Sequence, residues 1–387
     1  MSSWKSHFSR FFDANEGTLH FAAHSHHYWP DVTFEAQRDV WRDAAAHVDS
    51  KWDKVFSEVL PQSQELVARA IGGSDPRSIA FAVNTHELLL RLVSCIERSP
   101  VRILTSDAEF HSFSRQAQRW QEAGVAKMEI VPAEPFDTFE ERFLERASGD
   151  HDLVYVSHVA FNSGFVFERL EELAASVPKE ALLVLDGYHS FMALPFDWSA
   201  VEDRAFYLSG GYKYAMAGEG CCFLVCPPGI AERPVNTGWY SVFGDLQKPK
   251  EPGTVPYAAD GMRFFGSTFD PSGLYRLRAA LSLWQREGVT AEAIHRHVVE
   301  LQSRFLEAVA SGTAGPLQTE DLVPPVSDRR RGHFLTFQRP DAPALHEGLK
   351  AAGVVTDVRG DRLRFGFGVY QDSDDVEQLC ARLSAVG

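Results

Sequence analysis

The sequence has little that would place it in a membrane or outside the cell. None of its apolar runs approaches the roughly 20 residues that a membrane-spanning helix needs. The N-terminal segment contains no uninterrupted apolar stretch of the kind found in signal peptides, so none is expected. The five cysteines are an odd number without a paired C-x-x-C motif, which excludes a disulfide framework and favours reduced thiols. We therefore predict a cytoplasmic protein.

Positive charge is also scarce. The 38 Lys and Arg residues are outnumbered by 53 Asp and Glu residues, so the formal net charge is −15. Such a field repels nucleic acid and anionic membrane surfaces, and neither is expected as a partner. An anionic ligand would have to be bound by a local pocket.

A dinucleotide-binding motif is missing as well. An NAD(P)-dependent oxidoreductase of the α/β class needs a G-x-G-x-x-G turn that opens its first helix. The Gly72-Gly73-Ser74 turn lacks that spacing. We therefore discount this class of enzyme.

What the sequence does contain is an alternation of short apolar runs with amphipathic segments. Seven runs are predicted to be strands: Ile79–Val83, Val101–Thr105, Met128–Val131, Leu153–Val156, Leu182–Leu185, Ala205–Leu208 and Cys222–Val225. Helical periodicity lies between most of them, as in Glu87–Ile96. The alternation predicts an α/β fold with a mostly parallel seven-stranded sheet covered by helices on both faces.

Beyond Cys226 the pattern changes. Six prolines from Pro227 to Pro256 mark a long irregular connection that ends near Phe269. Two helices are predicted at 272–287 and 291–310, followed by helices and strands in mixed order. We predict a large domain over 17–282 and a smaller C-terminal α+β domain over 283–387, with residues 1–16 packed near the smaller one.

Charged residues follow two consecutive predicted strands. Asp186 closes one strand, and Lys213 follows the next, 27 residues further on. His189 comes three residues after Asp186. Taken alone, each of these residues is most simply interpreted as a loop cap or a solvated side chain. In open parallel sheets, however, ligands bind beyond the carboxyl ends of the strands. Their order at successive strand ends therefore favours a shared site.

These residue types fit pyridoxal 5'-phosphate (PLP). This cofactor needs a lysine amine for its aldehyde, an anion beside its ring nitrogen and hydrogen-bond donors for its phosphate. Lys213 and Asp186 can supply the first two. Phosphate donors are available from Ser209, Tyr212 and the backbone amides of a helix that begins near Thr85.

The order of these residues resembles the class V aminotransferase family of PLP-dependent enzymes. The pattern that carries the resemblance is Asp186-x-x-His189 followed by Ser209-x-x-Tyr212-Lys213-Tyr214. The Tyr-Lys-Tyr triplet and Gly238-Trp239-Tyr240 are similar to the kynureninase branch, and the likeness extends from Phe21 to Val369. It implies the PLP-dependent transferase fold type I, which is aspartate-aminotransferase-like, and a homodimer with shared active sites.

The resemblance implies a role for each cofactor residue. Lys213 holds PLP as a Schiff base, Asp186 pairs with the ring nitrogen, and His189 lies near the phenolic oxygen. The other implied cofactor contacts are Asn84, Thr85, Ser209 and Tyr212 at the phosphate, Phe110 on the ring face, Trp239 near the phosphate, and Thr268 at a phosphate across the dimer interface.

The resemblance also implies the substrate side of the site. Arg364 occupies the family's substrate-carboxylate position, where the planar fork of an arginine suits a carboxylate. Arg362 shares its strand face and is the rival residue. In the family, the segment 21–30 lies near the substrate entrance; here it contains three histidines, of which His24 and His26 are predicted to face the pocket. No metal is expected there, because no carboxylate or cysteine pattern accompanies the histidines.

Two departures from the kynureninase branch bear on the reaction. Ser241-Val242 replaces its Gly-His, and the segment 266–271 replaces its Asn-Pro-Pro stretch, which argues against kynurenine itself as substrate. No cysteine lies between Cys226 and Arg364, where a persulfide-forming desulfurase of this family needs one. We predict a PLP-dependent enzyme that cleaves a side-chain bond of a small amino acid, as a hydrolase or lyase. The alternatives are an aminotransferase that uses a 2-oxo acid and a catalytically inactive PLP-binding protein.

Overall fold

The computed structural model describes residues 4–245 and 252–386. Residues 246–251 of the predicted long connection, with Pro249, therefore lie outside the described residues. The described strands are β1 Leu19–His20, β2 Ile79–Ala82, β3 Val101–Ser106, β4 Ala126–Val131, β5 Leu153–Ser157, β6 Leu182–Asp186, β7 Ala205–Gly210, β8 Cys222–Val225, β9 Leu322–Val323, β10 Phe334–Gln338, β11 Val354–Val355, β12 Asp357–Arg359 and β13 Arg362–Gly366.

The α-helices alternate with these strands over most of the chain. They are α1 Ser9–Ala14, α2 Val32–His47, α3 Lys51–Lys54, α4 Leu60–Ala70, α5 Thr85–Val93, α6 His111–Glu122, α7 Phe139–Ala147, α8 Leu170–Ser176, α9 Ser272–Arg286, α10 Ala291–Ala310, α11 Ala342–Ala351 and α12 Ser373–Val386. In the described ranges, no helix is both long enough and apolar enough to cross a membrane.

All seven predicted strands join one sheet in the order β2-β8-β7-β6-β5-β3-β4. The pairs from β7 to β4 are parallel, whereas β8 runs antiparallel to both of its neighbours, β7 and β2. Every residue of β2, β7 and β8 is buried, because helices cover both faces of the sheet. The predicted α/β fold with a mostly parallel seven-stranded sheet is confirmed.

The sheet register brings three strand ends together. Ser157 at the end of β5 pairs with Asp186 at the end of β6, and Asp186 pairs with Leu208 of β7. The connection from β7 to β8 carries Lys213 and begins at the same edge. The carboxyl ends of β5, β6 and β7 therefore form one rim beside Lys213.

A second group of buried apolar side chains lies in the C-terminal part of the chain. It packs α10, α11 and α12 against the antiparallel sheet β12-β13-β10-β9. Leu19 and Phe21 belong to this group, and β1 pairs in parallel with β11. Strands β11 and β12 are separated by one residue but join different sheets. The domain boundary at 282/283 stays a prediction.

Candidate active site

A cavity of about 200 Å³ lies at the rim formed by the strand ends. The sequence-predicted residues that line it are Asn84, Thr85, Phe110, Asp186, His189, Tyr212 and Lys213. Ser209, Trp239, Thr268, Arg364, His24 and His26 are not among its lining residues. The fold thus brings seven predicted residues to one cavity, and the others lie beside it or further away.

Lys213 lies in the β7–β8 connection and is only 6% exposed. Its Nζ donates a hydrogen bond to the His24 carbonyl at 2.9 Å and contacts Nε2 of His189. Burial, together with the positive charge of Arg364, lowers the pKa of Lys213 to about 7. A large fraction of this amine is therefore unprotonated at neutral pH, as a nucleophilic lysine requires.

Asp186 is held by two donors. The Tyr155 hydroxyl donates to its Oδ2 at 2.6 Å, and the Tyr188 backbone amide donates to its Oδ1 at 2.9 Å. Burial raises the pKa of the Asp186 carboxyl, although both hydrogen bonds and the charge of Lys213 oppose that effect. A buried carboxylate at the cavity wall is well suited to stabilise a cationic ring nitrogen.

His189 and Phe110 both lie near the Lys213 amine. The Phe110 ring centroid is 5.8 Å from Lys213 Nζ. Burial, followed by the charges of Lys213 and Arg364, keeps the pKa of His189 well below its usual value, so the ring is neutral. Its Nδ1 is buried and has no hydrogen-bond partner among residues 4–245 and 252–386. Because such an atom is costly to leave unpaired, it indicates room for a polar group of a ligand.

The N-terminus of helix α5 reaches the cavity wall at Asn84 and Thr85. Asn84 caps the helix, and its Oδ1 accepts a hydrogen bond from the Glu87 amide at 2.9 Å. The first amides of a helix have no partner within it, so those at Thr85 can bind a phosphate at the cavity wall. Tyr212 lines the cavity too, whereas Ser209 is fully buried and its hydroxyl donates to the Gly187 carbonyl at 3.1 Å.

Arg364 lies beside the cavity on β13 and is 3% exposed. Its Nη2 forms an ion pair with Asp357 at 2.8 Å, and its Nη1 donates to the carbonyl of Phe161, a cavity residue. Its Nε is buried without a hydrogen-bond partner in the described parts of the chain. The rival Arg362 instead pairs with Glu134. The orphaned Nε therefore makes Arg364 the better candidate for binding a carboxylate.

The two predicted substrate histidines differ in environment. His24 is 1% exposed and stacked on Phe334, and neither of its ring nitrogens has a hydrogen-bond partner within the described ranges. His26 is exposed and stacks on the Tyr212 ring with centroids 5.4 Å apart. His24 is thus a buried group without a partner in the described ranges, and His26 is an exposed group that contacts the cavity residue Tyr212.

Trp239 and Thr268 lie away from the cavity on the surface. Trp239 is 45% exposed and packs on Tyr240 with ring centroids 4.1 Å apart. Thr268 is exposed. The Tyr240 amide donates to the Gly266 carbonyl at 3.1 Å, so the two segments adjoin on one surface.

Several cavity residues carry no signal of their own in the sequence. Tyr155 is part of a predicted apolar strand, and its hydroxyl meets Asp186 only through the pairing of β5 with β6. Phe161 and Tyr188 line the cavity from loops that follow β5 and β6. Tertiary register, not local pattern, places all three.

The residues of this site match what PLP needs from a protein. A buried lysine amine, a buried carboxylate and a helix N-terminus surround one cavity, and a buried histidine nitrogen beside it has no partner in the described ranges. Together with the mostly parallel sheet, they define a PLP-dependent enzyme of fold type I.

The comparison with known sequences makes the class more specific. The sequence model of the family described as "Aminotransferase class-V" matches residues 28–379, so the chain belongs to this family of PLP-dependent enzymes. The kynureninase of Pseudomonas fluorescens is 28% identical over 225 residues, which cover 56% of this chain and 51% of that protein. The kynureninase of Geobacillus thermodenitrificans is 25% identical over 312 residues, which cover 77% of this chain and 70% of that protein. The first match thus spans about half of the relative's length.

Solved structures agree on the fold. The apo cysteine desulfurase of Thermococcus onnurineus NA1 superposes with a TM-score of 0.81 at 19% identity and covers 100% of this chain and 98% of that chain. A cystine C–S lyase in complex with cysteine persulfide also gives a TM-score of 0.81, at 18% identity, covering 96% of this chain and 99% of that chain. At such identities the likeness establishes the fold alone.

Proposed function

We propose that this chain is a PLP-dependent enzyme that binds its cofactor through Lys213 and cleaves a side-chain bond of a small amino acid. One observation carries the proposal: the Lys213 amine is buried and shares a cavity with the Asp186 carboxyl. Burial and the charge of Arg364 lower the pKa of this amine to about 7, which supports the same role. When bound, PLP withdraws electrons from the substrate carbon next to the amino group. The chain's own residues then decide how the substrate is oriented and where protons move.

Each residue has a distinct task in this proposal. Arg364 binds the substrate carboxylate through its orphaned Nε, while Asp357 holds the guanidinium in place. Lys213 Nζ removes the proton from the substrate Cα, since an amine with a pKa near the operating pH is an effective general base. The ring nitrogens of His24 are buried without a partner in the described ranges, and we assign His24 to contact with the substrate side chain.

Cleavage is favoured over amino transfer by the relatives. The curated relatives described above are kynureninases, and one structural neighbour is a cystine C–S lyase. A persulfide relay is disfavoured, because no cysteine lies between Cys226 and Arg364. We also propose a homodimer in which Trp239 and Thr268 of one subunit approach the cofactor phosphate of the other.

The test is a visible absorbance spectrum of the purified protein with PLP, before and after addition of amino acids. Wild type is expected to show a yellow band, which Lys213→Ala abolishes or alters, while Lys179→Ala, at an exposed lysine, leaves it unchanged. A colourless protein that takes up no PLP would refute the proposal.

The products distinguish the remaining alternatives. Turnover of kynurenine, alanine or cysteine derivatives with release of a side-chain fragment supports cleavage. Transfer of the amino group to an added 2-oxo acid supports an aminotransferase. Bound cofactor without turnover of the whole panel would indicate an inactive PLP-binding protein.

A further inference from the structure

Glu109 is a buried carboxyl that the proposed function does not use. It lies between β3 and α6 and is 2% exposed. The Ser106 hydroxyl donates to its Oε1 and the Ser157 hydroxyl donates to its Oε2, each at 2.5 Å. Because Ser106 ends β3 and Ser157 ends the neighbouring β5, the carboxyl cross-links two strand ends of the central sheet.

This cross-link joins two residues of the cofactor site. Phe110 directly follows Glu109, precedes the first turn of α6 and lies 5.8 Å from the Lys213 amine. On the other side, Ser157 is the register partner of Asp186. A short chain of contacts therefore runs from Phe110 through Glu109 and Ser157 to Asp186.

The charges near Glu109 couple it to Asp186. Burial raises the pKa of Glu109 to about 7; hydrogen bonds from the two serines oppose this, and the charge of Asp186 reinforces it. Tyr155, on β5, interacts electrostatically with both carboxyls and donates to Asp186. Of the other neighbours, Asp107 accepts from the Ala133 amide, and His111 packs on Phe161. Glu109 and Asp186 are thus two carboxyls whose ionisations oppose each other.

We propose that Glu109 is a positioning residue of the cofactor site, which fixes Phe110 and sets the electrostatic balance at Asp186 through its own charge. This inference rests on the proposed function, because it takes Lys213 and Asp186 as the groups that hold PLP. Ionised Glu109 adds a second negative charge on the Asp186 side of the cavity. That charge stabilises positive charge on the bound cofactor.

The test is a pH titration of the visible absorbance of the PLP-loaded protein. Glu109→Gln keeps the size of the side chain and a partner for each serine, but it removes the charge. We expect its titration midpoint to lie about 0.5 pH unit or more below that of wild type. The matched control is Glu122→Gln, which removes an exposed carboxyl at the end of α6 and should leave the midpoint unchanged.

A second variant decides the matter if Glu109→Gln does not fold. Ser157→Ala keeps the carboxyl but removes one donor, so fewer Glu109 side chains ionise and the midpoint should fall in the same direction by less. If Glu109→Gln folds and its midpoint equals that of wild type, this inference is overturned and the proposed function stands. If only Ser157→Ala folds, a midpoint equal to that of wild type has the same consequence. A wild-type protein that takes up no PLP would instead overturn the proposed function, and the inference with it.

Discussion

At the scale of single residues, the Lys213 amine is tuned by its neighbours. Burial and the charge of Arg364 lower its pKa to about 7, while Asp186 and Asp357 raise it. A group with a lowered pKa gains its unprotonated, reactive form at lower pH. We therefore predict that the rate of PLP uptake rises with pH and reaches half of its plateau near pH 7.

The same electrostatic interactions predict how a variant at Arg364 shifts the pH dependence of the rate of PLP uptake. Arg364→Gln removes a nearby positive charge and breaks one ion pair of Asp357, which keeps its ion pair with Arg359 at 3.4 Å. Both changes raise the pKa of Lys213. The midpoint of the uptake rate, measured by stopped-flow absorbance, should move to higher pH. Arg304→Gln, at an exposed arginine on α10, is the control, and a midpoint shared by all three proteins would contradict the prediction.

Asp186 gives a prediction about catalysis. Asp186→Asn keeps the shape of the side chain and an acceptor for the Tyr155 hydroxyl but removes the negative charge at the cavity wall. We expect kcat/KM on a turned-over amino acid to fall about 100-fold or more, because preorganised charge is a large part of such catalysis. Steady-state kinetics at saturating PLP measure the effect, and a loss below about threefold would show that the charge is not used.

At the scale of elements, the capped N-terminus of α5 serves both the fold and the proposed phosphate site. Asn84→Ala removes the cap on the Glu87 amide and should lower the free energy of unfolding by about 1 kcal/mol. Asn84→Asp retains a capping oxygen but places a negative charge beside the proposed phosphate. We predict that the Asp variant unfolds close to the wild-type denaturant midpoint yet binds PLP at least about fivefold more weakly. Equal PLP affinity of Asn84→Asp and wild type would place the phosphate elsewhere.

The strands of the central sheet show which parts of the fold and of the site could be predicted from the sequence. All seven strands of the central sheet could be predicted. The signal is clearest in β2 and β8, whose residues are all apolar and buried, whereas the edge strand β4 contains charged residues and is only partly buried. Asp186 and Lys213 could be predicted as neighbours from their positions after adjacent strands. The pairing of β5 with β6, which brings Tyr155 to Asp186, could not, because strand register is a tertiary property. Glu109 precedes the predicted cofactor residue Phe110 in the sequence. Its contact with Ser157 could not be predicted, because the two residues are 48 positions apart and no local pattern links them.

At the scale of the whole molecule, the surface around Trp239 and Thr268 is the proposed contact between two subunits. Trp239 is 45% exposed, and Val235, four residues earlier in the chain, is 83% exposed. The amide of Tyr240, next to Trp239, donates a hydrogen bond to the Gly266 carbonyl in the segment of Thr268. Aromatic side chains such as Trp239 are enriched at protein interfaces. Neither Trp239 nor Thr268 lines the cavity of its own chain, so any contact with a cofactor would have to be made in a partner.

This arrangement predicts a dimer whose loss also weakens the cofactor site. Sedimentation velocity of the PLP-loaded protein should show a dimer, and Trp239→Ser should raise its dissociation constant about tenfold or more, because an aromatic anchor is removed. Since the partner would supply part of the phosphate site, the same variant should bind PLP more weakly at protein concentrations where it is monomeric. Val326→Ser, which changes an exposed valine of the C-terminal part of the chain, should affect neither measurement. A PLP-loaded wild-type protein that stays monomeric at all concentrations would refute the shared site, because each cavity would then bind its cofactor without Trp239 or Thr268.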